Sequence, residues 1–331
     1  MKKWIMTGLC AALLTALLPA AAFAQELLVG GQAVGIELET QGVVVVALSE
    51  VETAEGSRAP AEEAGFKEGD VIVQIGERPV ASAADFLAAV AALEGAAAPV
   101  TAQRGGQTVC MMIRPALSLD GHWMLGLWLR DGLTGIGTLT FCDPISGVYG
   151  ALGHAVTDEN SGALLPIGGG SISEMQVTGV VPGLPGAPGE LSGGTEPGRV
   201  LGSVEKNTEH GIFGHVEVSP ETRLAETGEI RPGPAVILAT VQGSQIGEYA
   251  VQIDRVYSEG GAHRVLFTVT DPALREQTGG IVQGMSGSPI LQDGRLVGAV
   301  THVFVNCPEK GYGLGIEEML SEAGLRDDHA A

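Results

Sequence analysis

The sequence predicts a mostly β protein made of a small α/β module followed by a larger all-β region. Three observations predict it. A length of 331 residues allows about two domains of ~150 residues each. Glycine accounts for 50 residues and aromatics for only 4%, which favours turn-rich β structure because glycine weakens helix interiors. Short β-branched segments separated by glycine recur along the second part of the chain, a spacing typical of barrels and sandwiches.

The overall charge excludes one large class of partner. The chain carries 18 Lys and Arg against 39 Asp and Glu, a formal net charge of −21. Such a chain repels phosphate backbones, so nucleic-acid binding is not expected. The 45% of apolar residues is enough to bury a sizeable core.

Residues 1–25 have the layout of a targeting segment. Lys2 and Lys3 precede the apolar run Trp4–Phe23, and an A-x-A pattern ends at Ala24. This layout predicts a secretory signal peptide, with a retained membrane anchor as the alternative. Either way, the rest of the chain is expected to be exported across the cytoplasmic membrane.

The cysteines and the other common ligand residues predict neither a disulfide framework nor a cofactor. Cys110, Cys142 and Cys307 follow the targeting segment, so at most one disulfide can form. The sequence contains no C-x-x-C and no H-E-x-x-H pattern. We therefore expect no metal site and no cofactor.

Residues 27–116 form the predicted α/β module. A β-branched run at Gly42–Leu48 and a second at Val71–Ile75 are typical of buried strands, and a short helix between them is predicted to end at Gly65. Ser82 caps an alanine-rich helix over Ala83–Leu93, with Asp85 at the capping-box position. The segment before these elements, Leu27–Leu38, is predicted as strand, loop and strand.

The string A-x-x-A-G-F-x-x-G-D-x-I-x-x-I-G at Ala61–Gly76 resembles the PDZ domains of bacterial envelope proteases. A PDZ domain binds an extended peptide along a strand edge. The resemblance implies that the loop Ala33, Val34, Gly35 and Ile36 presents backbone N–H groups to a peptide carboxylate. The alternative is that Gly35 is only a turn glycine.

Residues 120–331 are predicted to be short strands with a single helix, Ile316–Ala323, near the end. The Gly/Pro-rich stretch Val180–Gly198 is predicted to be a long surface loop. The expected strands are Met124–Leu129, Gly137–Phe141, Val148–Leu152, Ala235–Thr240, Tyr249–Val256, Val265–Val269, Pro289–Leu291 and Val297–Phe304.

The hexapeptide Gly284–Pro289 (GMSGSP) resembles the nucleophile turn of trypsin-like serine peptidases. Attack on an amide needs a hydroxyl that projects from a tight turn, and backbone N–H groups aimed at the developing oxyanion. Ser286 is the predicted nucleophile, and the N–H groups of Gly284 and Ser286 form the predicted oxyanion hole. Ser288 is the alternative nucleophile, and a plain glycine-serine turn is the alternative to both.

A reactive serine needs a base and an acid that orients it. His154 is the predicted base, because it follows a predicted strand and the small residue Gly153. His302, on the apolar strand after the serine turn, is interpreted as a core histidine. Asp271 is the predicted orienting acid. Asp158 competes with it, and the alternative for Asp271 is a turn or helix cap.

Four longer blocks look like the stage IV sporulation protein B peptidase family: Gly135–Asp158, Glu205–Gly214, Val269–Asn306 and Gly311–Gly324. The resemblance assigns the family's catalytic histidine, serine and aspartate to His154, Ser286 and Asp271. It implies an exported peptidase, in the forespore intermembrane space, that cleaves itself and a membrane-bound partner. Cleavage of the partner releases an intramembrane protease that activates a late sigma factor during endospore formation.

The position of the acid departs from the trypsin pattern. Asp271 lies 15 residues before Ser286, whereas two-barrel trypsin-like peptidases carry the acid in the same barrel as the histidine. The sequence therefore predicts a PDZ domain over 27–116, then a trypsin-like double β-barrel over 120–331 or a rearranged version of it. The alternative function is a secreted PDZ adaptor on a catalytically weak peptidase scaffold.

Overall fold

The computed structural model describes residues 25–157, 162, 164–194, 198–217 and 223–326, without the side chain of Asp131. The predicted targeting segment falls outside these residues except at Gln25, and so does the competing acid Asp158. Among the described residues, no helix combines the length and the apolar character needed to cross a membrane.

The prediction of a mostly β chain is confirmed. The strands of the N-terminal part are β1 Glu26–Val29, β2 Ala33–Leu48, β3 Val51–Thr53, β4 Gly56–Arg58, β5 Val71–Ile75, β6 Arg78–Pro79, β7 Ala98–Arg104, β8 Gln107–Ile113 and β9 Ala116–Leu117. The strands of the middle part are β10 Trp123–Met124, β11 Leu127–Cys142, β12 Val148–Ala151, β13 Ile167–Glu174, β14 Gln176–Val181, β15 Glu190–Gly194, β16 Val200–Ser203, β17 Lys206–Thr208, β18 Gly211–His215 and β19 Leu224–Glu226. The last strands are β20 Gly233–Gln242, β21 Gln245–Glu259, β22 Ala262–Val269, β23 Pro289–Gln292, β24 Arg295–Val303 and β25 Lys310–Gly315. The helices are α1 Pro60–Ala64, α2 Ala83–Ala91, α3 Pro272–Thr278 and α4 Ile316–Glu322.

The local signals of the α/β module form the elements that they predict. Helix α1 ends at Gly65, which has a left-handed backbone conformation. Helix α2 begins with a complete capping box between Ser82 and Asp85. The aspartate of the G-D motif, Asp70, is fully buried and accepts two hydrogen bonds from the Arg104 guanidinium, at 2.6 and 2.7 Å. This ion pair ties the loop after α1 to strand β7.

Strands β2 and β11, 16 residues each, join the α/β module to the rest of the chain. They pair antiparallel from Leu48–Leu127 at one end to Ala33–Thr138 at the other. Near Val43 and Val44, β2 also pairs with β5 of the module. Each strand therefore begins in one part of the protein and ends in the other.

This pairing contradicts the prediction that Ala33, Val34, Gly35 and Ile36 form a carboxylate-binding loop. These residues lie inside β2, and β2 pairs there with β11 on one side and β13 on the other. Ala33, Val34 and Ile36 are buried. The prediction was wrong because pairing on both edges consumes the backbone N–H groups that a peptide would need.

Strands β20 to β25 close into a six-stranded barrel in the order β20-β21-β22-β25-β24-β23. Its interior is filled by alternate apolar side chains, including Ile237, Val265, Phe267, Ile290 and Val300. The other strands around β11 form an open sheet, β17-β18-β12-β11-β2-β5-β7-β8. The expected second barrel is thus a half-barrel, because β2 and β11 leave it to enter the α/β module.

Part of the Gly/Pro-rich stretch Val180–Gly198, which was predicted to be a surface loop, forms regular strand structure. Strands β14 and β15 pair across it as a hairpin, from Gln176–Gly194 to Val181–Glu190. The Leu191 N–H donates to the Gln283 carbonyl, and the Gln283 N–H donates to the Gly189 carbonyl. The predicted surface loop therefore packs directly against the segment that precedes the serine turn.

Candidate active site

The serine turn lies between helix α3 and strand β23, and glycine is required at two of its positions. Gly284 and Gly287 have φ angles of 96° and 93°, which L side chains rarely adopt. A Cβ atom at Gly287 would lie 2.1 Å from the Thr138 carbonyl oxygen and 2.5 Å from the Leu152 nitrogen. The turn can therefore pack against β11 and β12 only with glycine at this position.

Two buried threonines of β11 hold the carbonyl groups of the turn. The Thr138 hydroxyl donates to the Gly284 carbonyl at 2.9 Å, and the Thr140 hydroxyl donates to the Gly287 carbonyl at 2.7 Å. The Thr138 N–H donates to the Ser286 carbonyl at 2.9 Å. The sequence analysis missed these residues, although a T-x-T pattern inside an apolar strand is a signal for buried hydroxyls that need partners.

The predicted oxyanion donors are free in this arrangement. Within the described part of the chain, neither the Gly284 N–H nor the Ser286 N–H donates to an acceptor, whereas the N–H groups of Met285, Gly287 and Ser288 all do. The Gly284 and Ser286 carbonyls bond to Thr138 of β11, which fixes the turn while the N–H groups of the same two residues remain available to a ligand. This is the arrangement that a developing oxyanion requires.

Ser286 and His154 line one cavity of about 510 Å³. In the structure the Ser286 hydroxyl donates to the Thr301 carbonyl at 2.8 Å. Ser288, the alternative nucleophile, is fully buried and does not line this cavity. Of the two serines in the turn, Ser286 is therefore the one that a substrate can reach.

His154 follows two residues with a left-handed backbone, Leu152 and Gly153, both with a φ of 69°. A positive φ is strained for leucine, and such strain often accompanies functional sites. The His154 Nδ1 lies 2.7 Å from the Ala155 carbonyl oxygen. Because a carbonyl only accepts, Nδ1 carries the proton of the neutral ring and Nε2 keeps a free lone pair. Burial lowers the pKa of His154, and its hydrogen bond to Ala155 partly opposes this.

The interpretation of His302 as a core histidine was wrong. His302 is exposed rather than part of the barrel core, and it lines the same cavity as Ser286 and His154. The rings of His154 and His302 have centroids 4.5 Å apart and planes inclined by 34°. Loss of surrounding water, then the nearby charges of His154 and Arg264, lower the pKa of His302 to about 4. His302 is therefore neutral near pH 7.

Asp271 is not brought to this cavity. Its carboxylate accepts hydrogen bonds from the Ala273 and Leu274 N–H groups, both at 3.0 Å, and caps helix α3. A third bond, at 3.3 Å, comes from the Ala250 N–H. The helix-cap alternative thus describes Asp271 in this structure, and the Ala155 carbonyl takes the orienting position at His154. Among the described residues, no carboxylate bonds to His154.

Most of the cavity wall is apolar, and several of its members come from segments that the sequence analysis did not connect with catalysis. Ile36 and Leu38 come from β2, Arg130 from β11, and Pro188 from the hairpin of β14 and β15. The full lining is Ile36, Leu38, Arg130, Leu133, Thr134, Gly135, Ile136, Leu152, His154, Val156, Thr157, Pro188, Val282, Gln283, Gly284, Ser286, Thr301, His302, Val303 and Val305.

One group of possible metal ligands lies outside the Ser286 cavity, although the sequence analysis expected no metal site in the protein. The ligand atoms of His263, Glu317 and Glu318 lie within 4.8 Å of one another. Helix α4 brings the two glutamates to the start of β22. None of the three lines the cavity of Ser286.

Comparison with protein families identifies two regions. The SpoIVB peptidase S55 family matches residues 121–320, and the PDZ domain family matches residues 33–113. The first match covers more than half of the chain. No curated protein matches the chain significantly.

Two solved structures align with the chain at low identity. The active form of the Rv3671c protease from M. tuberculosis is 14% identical over 59% of this chain and 76% of that chain, with a TM-score of 0.37. The thermostable serine protease AL20 from an extremophilic microorganism is 13% identical over 58% of this chain and 89% of that chain, with a TM-score of 0.34.

Proposed function

The chain belongs to the SpoIVB peptidase S55 family and is a serine peptidase; we propose that Ser286 is its nucleophile and His154 its general base. One observation carries this assignment. Both side chains line the same cavity, beside the unoccupied N–H groups of Gly284 and Ser286.

The proposed reaction begins when the Ser286 hydroxyl leaves the Thr301 carbonyl and donates to Nε2 of His154. The oxygen attacks the substrate carbonyl as His154 takes the proton, and the Gly284 and Ser286 N–H groups stabilise the oxyanion. His154 then gives the proton to the leaving amine. Water, activated by the same ring, hydrolyses the acyl-enzyme.

A fluorophosphonate probe tests these roles, because it labels only an activated serine. We expect rapid labelling of the wild type and of Asp293→Asn, an exposed control, and none of Ser286→Ala. Labelling of His154→Ala should be at least ~10³-fold slower. Labelling that persists in Ser286→Ala, or that is unchanged in His154→Ala, would contradict the assignment.

We further propose that the peptidase acts outside the cytoplasmic membrane, on itself and on a membrane-bound regulator of an intramembrane protease during endospore formation. The targeting pattern of residues 1–25 and the family membership support this proposal. The purified wild type should shorten itself with time while Ser286→Ala stays intact. In the host, Ser286→Ala should stop sporulation at the stage that needs the late sigma factor; normal spores would contradict the proposal.

A PDZ adaptor with a weak peptidase scaffold is the second candidate. It is favoured by one observation, namely that the Ser286 hydroxyl donates to a backbone carbonyl rather than to His154. The adaptor predicts no probe labelling of the wild type, and a sporulation defect that Ser286→Ala does not reproduce. The two candidates therefore differ in both experiments.

A further inference from the structure

The cavity that holds Ser286 and His154 contains one permanently charged side chain. Apart from the two histidines, Arg130 is the only ionisable residue among its described lining residues. Most of the remaining wall is aliphatic. A guanidinium in such a setting is a strong and isolated electrostatic feature.

Arg130 has no protein partner in the described part of the chain. Its Nε is buried and makes no hydrogen bond, and its guanidinium joins no ion pair. Other arginines in the described part of the chain also lack an ion pair, but Arg130 is the one that lines the cavity of Ser286. The arginines that do form ion pairs with carboxylates are Arg58, Arg104, Arg199, Arg223, Arg231, Arg275 and Arg295.

The position of Arg130 explains how it reaches the cavity. It pairs with Val44 of β2, immediately before the register of β11 against β2 shifts. Leu133, beyond the shift, lines the same cavity. Arg130 therefore lies where β11 passes from the peptidase sheet into the PDZ module. It is separated along β11 from Thr138, the residue that holds the serine turn.

Arg130 is half-buried, so its guanidinium has lost part of its surrounding water without gaining a counter-charge from the described residues. Arginine cannot offset this cost by losing its proton. Its planar fork of donors matches a carboxylate, which it binds through two parallel hydrogen bonds. A peptide that entered the cavity would exclude water from Arg130, and the lower dielectric constant would strengthen the attraction between Arg130 and an anionic side chain. The overall charge of −21 disfavours acidic peptides elsewhere on the molecule, so the attraction is local.

We propose that Arg130 forms a substrate subsite for an acidic side chain, so that the peptidase prefers sequences with Asp or Glu at one fixed position relative to the cleaved bond. This inference rests on the proposed function, because it assumes that peptides are cleaved in the cavity of Ser286. Arg130 is then a specificity-determining residue, and the aliphatic wall accepts the neighbouring apolar side chains.

A second arginine provides an internal comparison. Arg264 also has a buried Nε without a hydrogen bond, and it lines an adjoining cavity of about 420 Å³. This cavity shares Thr301 and His302 with the first, but it also contains Glu259. A carboxylate of the protein thus lines the same cavity as Arg264, whereas no carboxylate of the described residues lines the cavity of Arg130.

The test begins with a mixed peptide library, digested by the purified protein and analysed by mass spectrometry. The wild type and Arg78→Gln, an exposed control in the PDZ module, should cut at sites enriched in Asp or Glu at one position. Arg130→Gln should lose the enrichment, and Arg130→Glu should replace it with Lys or Arg. Arg130→Lys should retain part of it.

The size of the acidic preference is then measured with two peptides that differ only in having Glu or Gln at that position. We expect the wild type to favour Glu by about ten- to hundred-fold in kcat/KM, and Arg130→Gln to treat the two alike. Cleavage of the Gln peptide should be similar in both enzymes, which excludes a general loss of structure. Absence of any acidic preference, or an acidic preference that survives in Arg130→Gln, would overturn the inference. Its loss in Arg264→Gln instead would assign the subsite to Arg264. Absence of cleavage of every peptide by the wild type would instead overturn the proposed function.

Discussion

The imidazole ring of His302 packs against that of His154, with centroids 4.5 Å apart, although the two residues come from different halves of the molecule. His154 follows strand β12 of the open sheet, and His302 lies on strand β24 of the closed barrel. The residue before His302, Thr301, accepts the Ser286 hydroxyl. One segment of β24 therefore contacts both proposed catalytic side chains.

We predict that His302 positions His154. His302→Ala removes a ring contact worth about 1 kcal/mol and should lower kcat/KM about five-fold. His302→Phe keeps an aromatic face against His154 and should retain most of the activity. The two variants should also differ in pH profile, because the alanine variant admits water to His154 and raises its pKa. Equal activities and equal profiles for both variants would contradict this role.

As the pH falls, kcat/KM should be lost with a midpoint below the pKa of an ordinary histidine. Burial lowers the pKa of His154, so its neutral, basic form persists below the usual value of about 6.5. The activity should therefore be lost only at a more acidic pH. The measurement is kcat/KM against pH for a neutral peptide, and a midpoint above 6.5 would show that His154 is not the base or is not buried in the active form.

The family resemblance assigns Asp271 as the catalytic acid, whereas the structure shows it as the N-cap of helix α3, and substitutions distinguish the two roles. As a helix cap, its replacement by alanine should cost about 1 kcal/mol of stability, while Asp271→Asn keeps an acceptor for the Ala273 and Leu274 N–H groups. We expect Asp271→Asn to remain folded and to keep its activity within a few-fold. A folded Asp271→Asn that has lost about 10⁴-fold in kcat would instead show that this acid reaches His154 during catalysis.

Thr138 should matter for catalysis without contacting the substrate. Thr138→Val is nearly isosteric but leaves the buried Gly284 carbonyl without the hydroxyl that holds it. An unsatisfied buried carbonyl costs about 1–3 kcal/mol, and the oxyanion donors lose their fixed orientation. We expect kcat to fall about ten-fold with little change in KM. An unchanged kcat in a folded variant would show that the turn does not depend on this bond.

The ion pair of the buried Asp70 with the partly exposed Arg104 should stabilise the PDZ module. Asp70→Asn leaves the Arg104 guanidinium without its counter-charge and should lower the free energy of unfolding by about 1–3 kcal/mol. Replacement of the exposed Asp293, whose partner Arg231 is also exposed, should change it by less than about 1 kcal/mol. Urea denaturation of both variants measures the difference, and equal effects would contradict the structural role of Asp70.

Local signals in the sequence were sufficient for several elements. The capping box at Ser82 and Asp85, the helix end at Gly65 and the glycine-rich serine turn all depend on residues within a few positions of one another. Such signals act through backbone conformation, which the neighbouring residues largely determine. For the same reason the sequence identified Ser286 and its two candidate oxyanion donors.

By itself, the sequence determined a mostly β chain, its family and its glycine-rich serine turn, and it supplied Ser286 and His154 as the candidate nucleophile and base. Only the tertiary structure decided that β2 pairs with β11 from one end of β2 to the other, which buries Ala33, Val34 and Ile36 and brings Arg130 to the cavity. It also decided that His302 meets His154 and that Asp271 caps a helix instead. The Asp271 cap is a local contact that the sequence analysis left open as an alternative. The other outcomes depend on strand register and on contacts between residues far apart in the sequence, and no local pattern encodes which of several compatible pairings buries the most apolar surface.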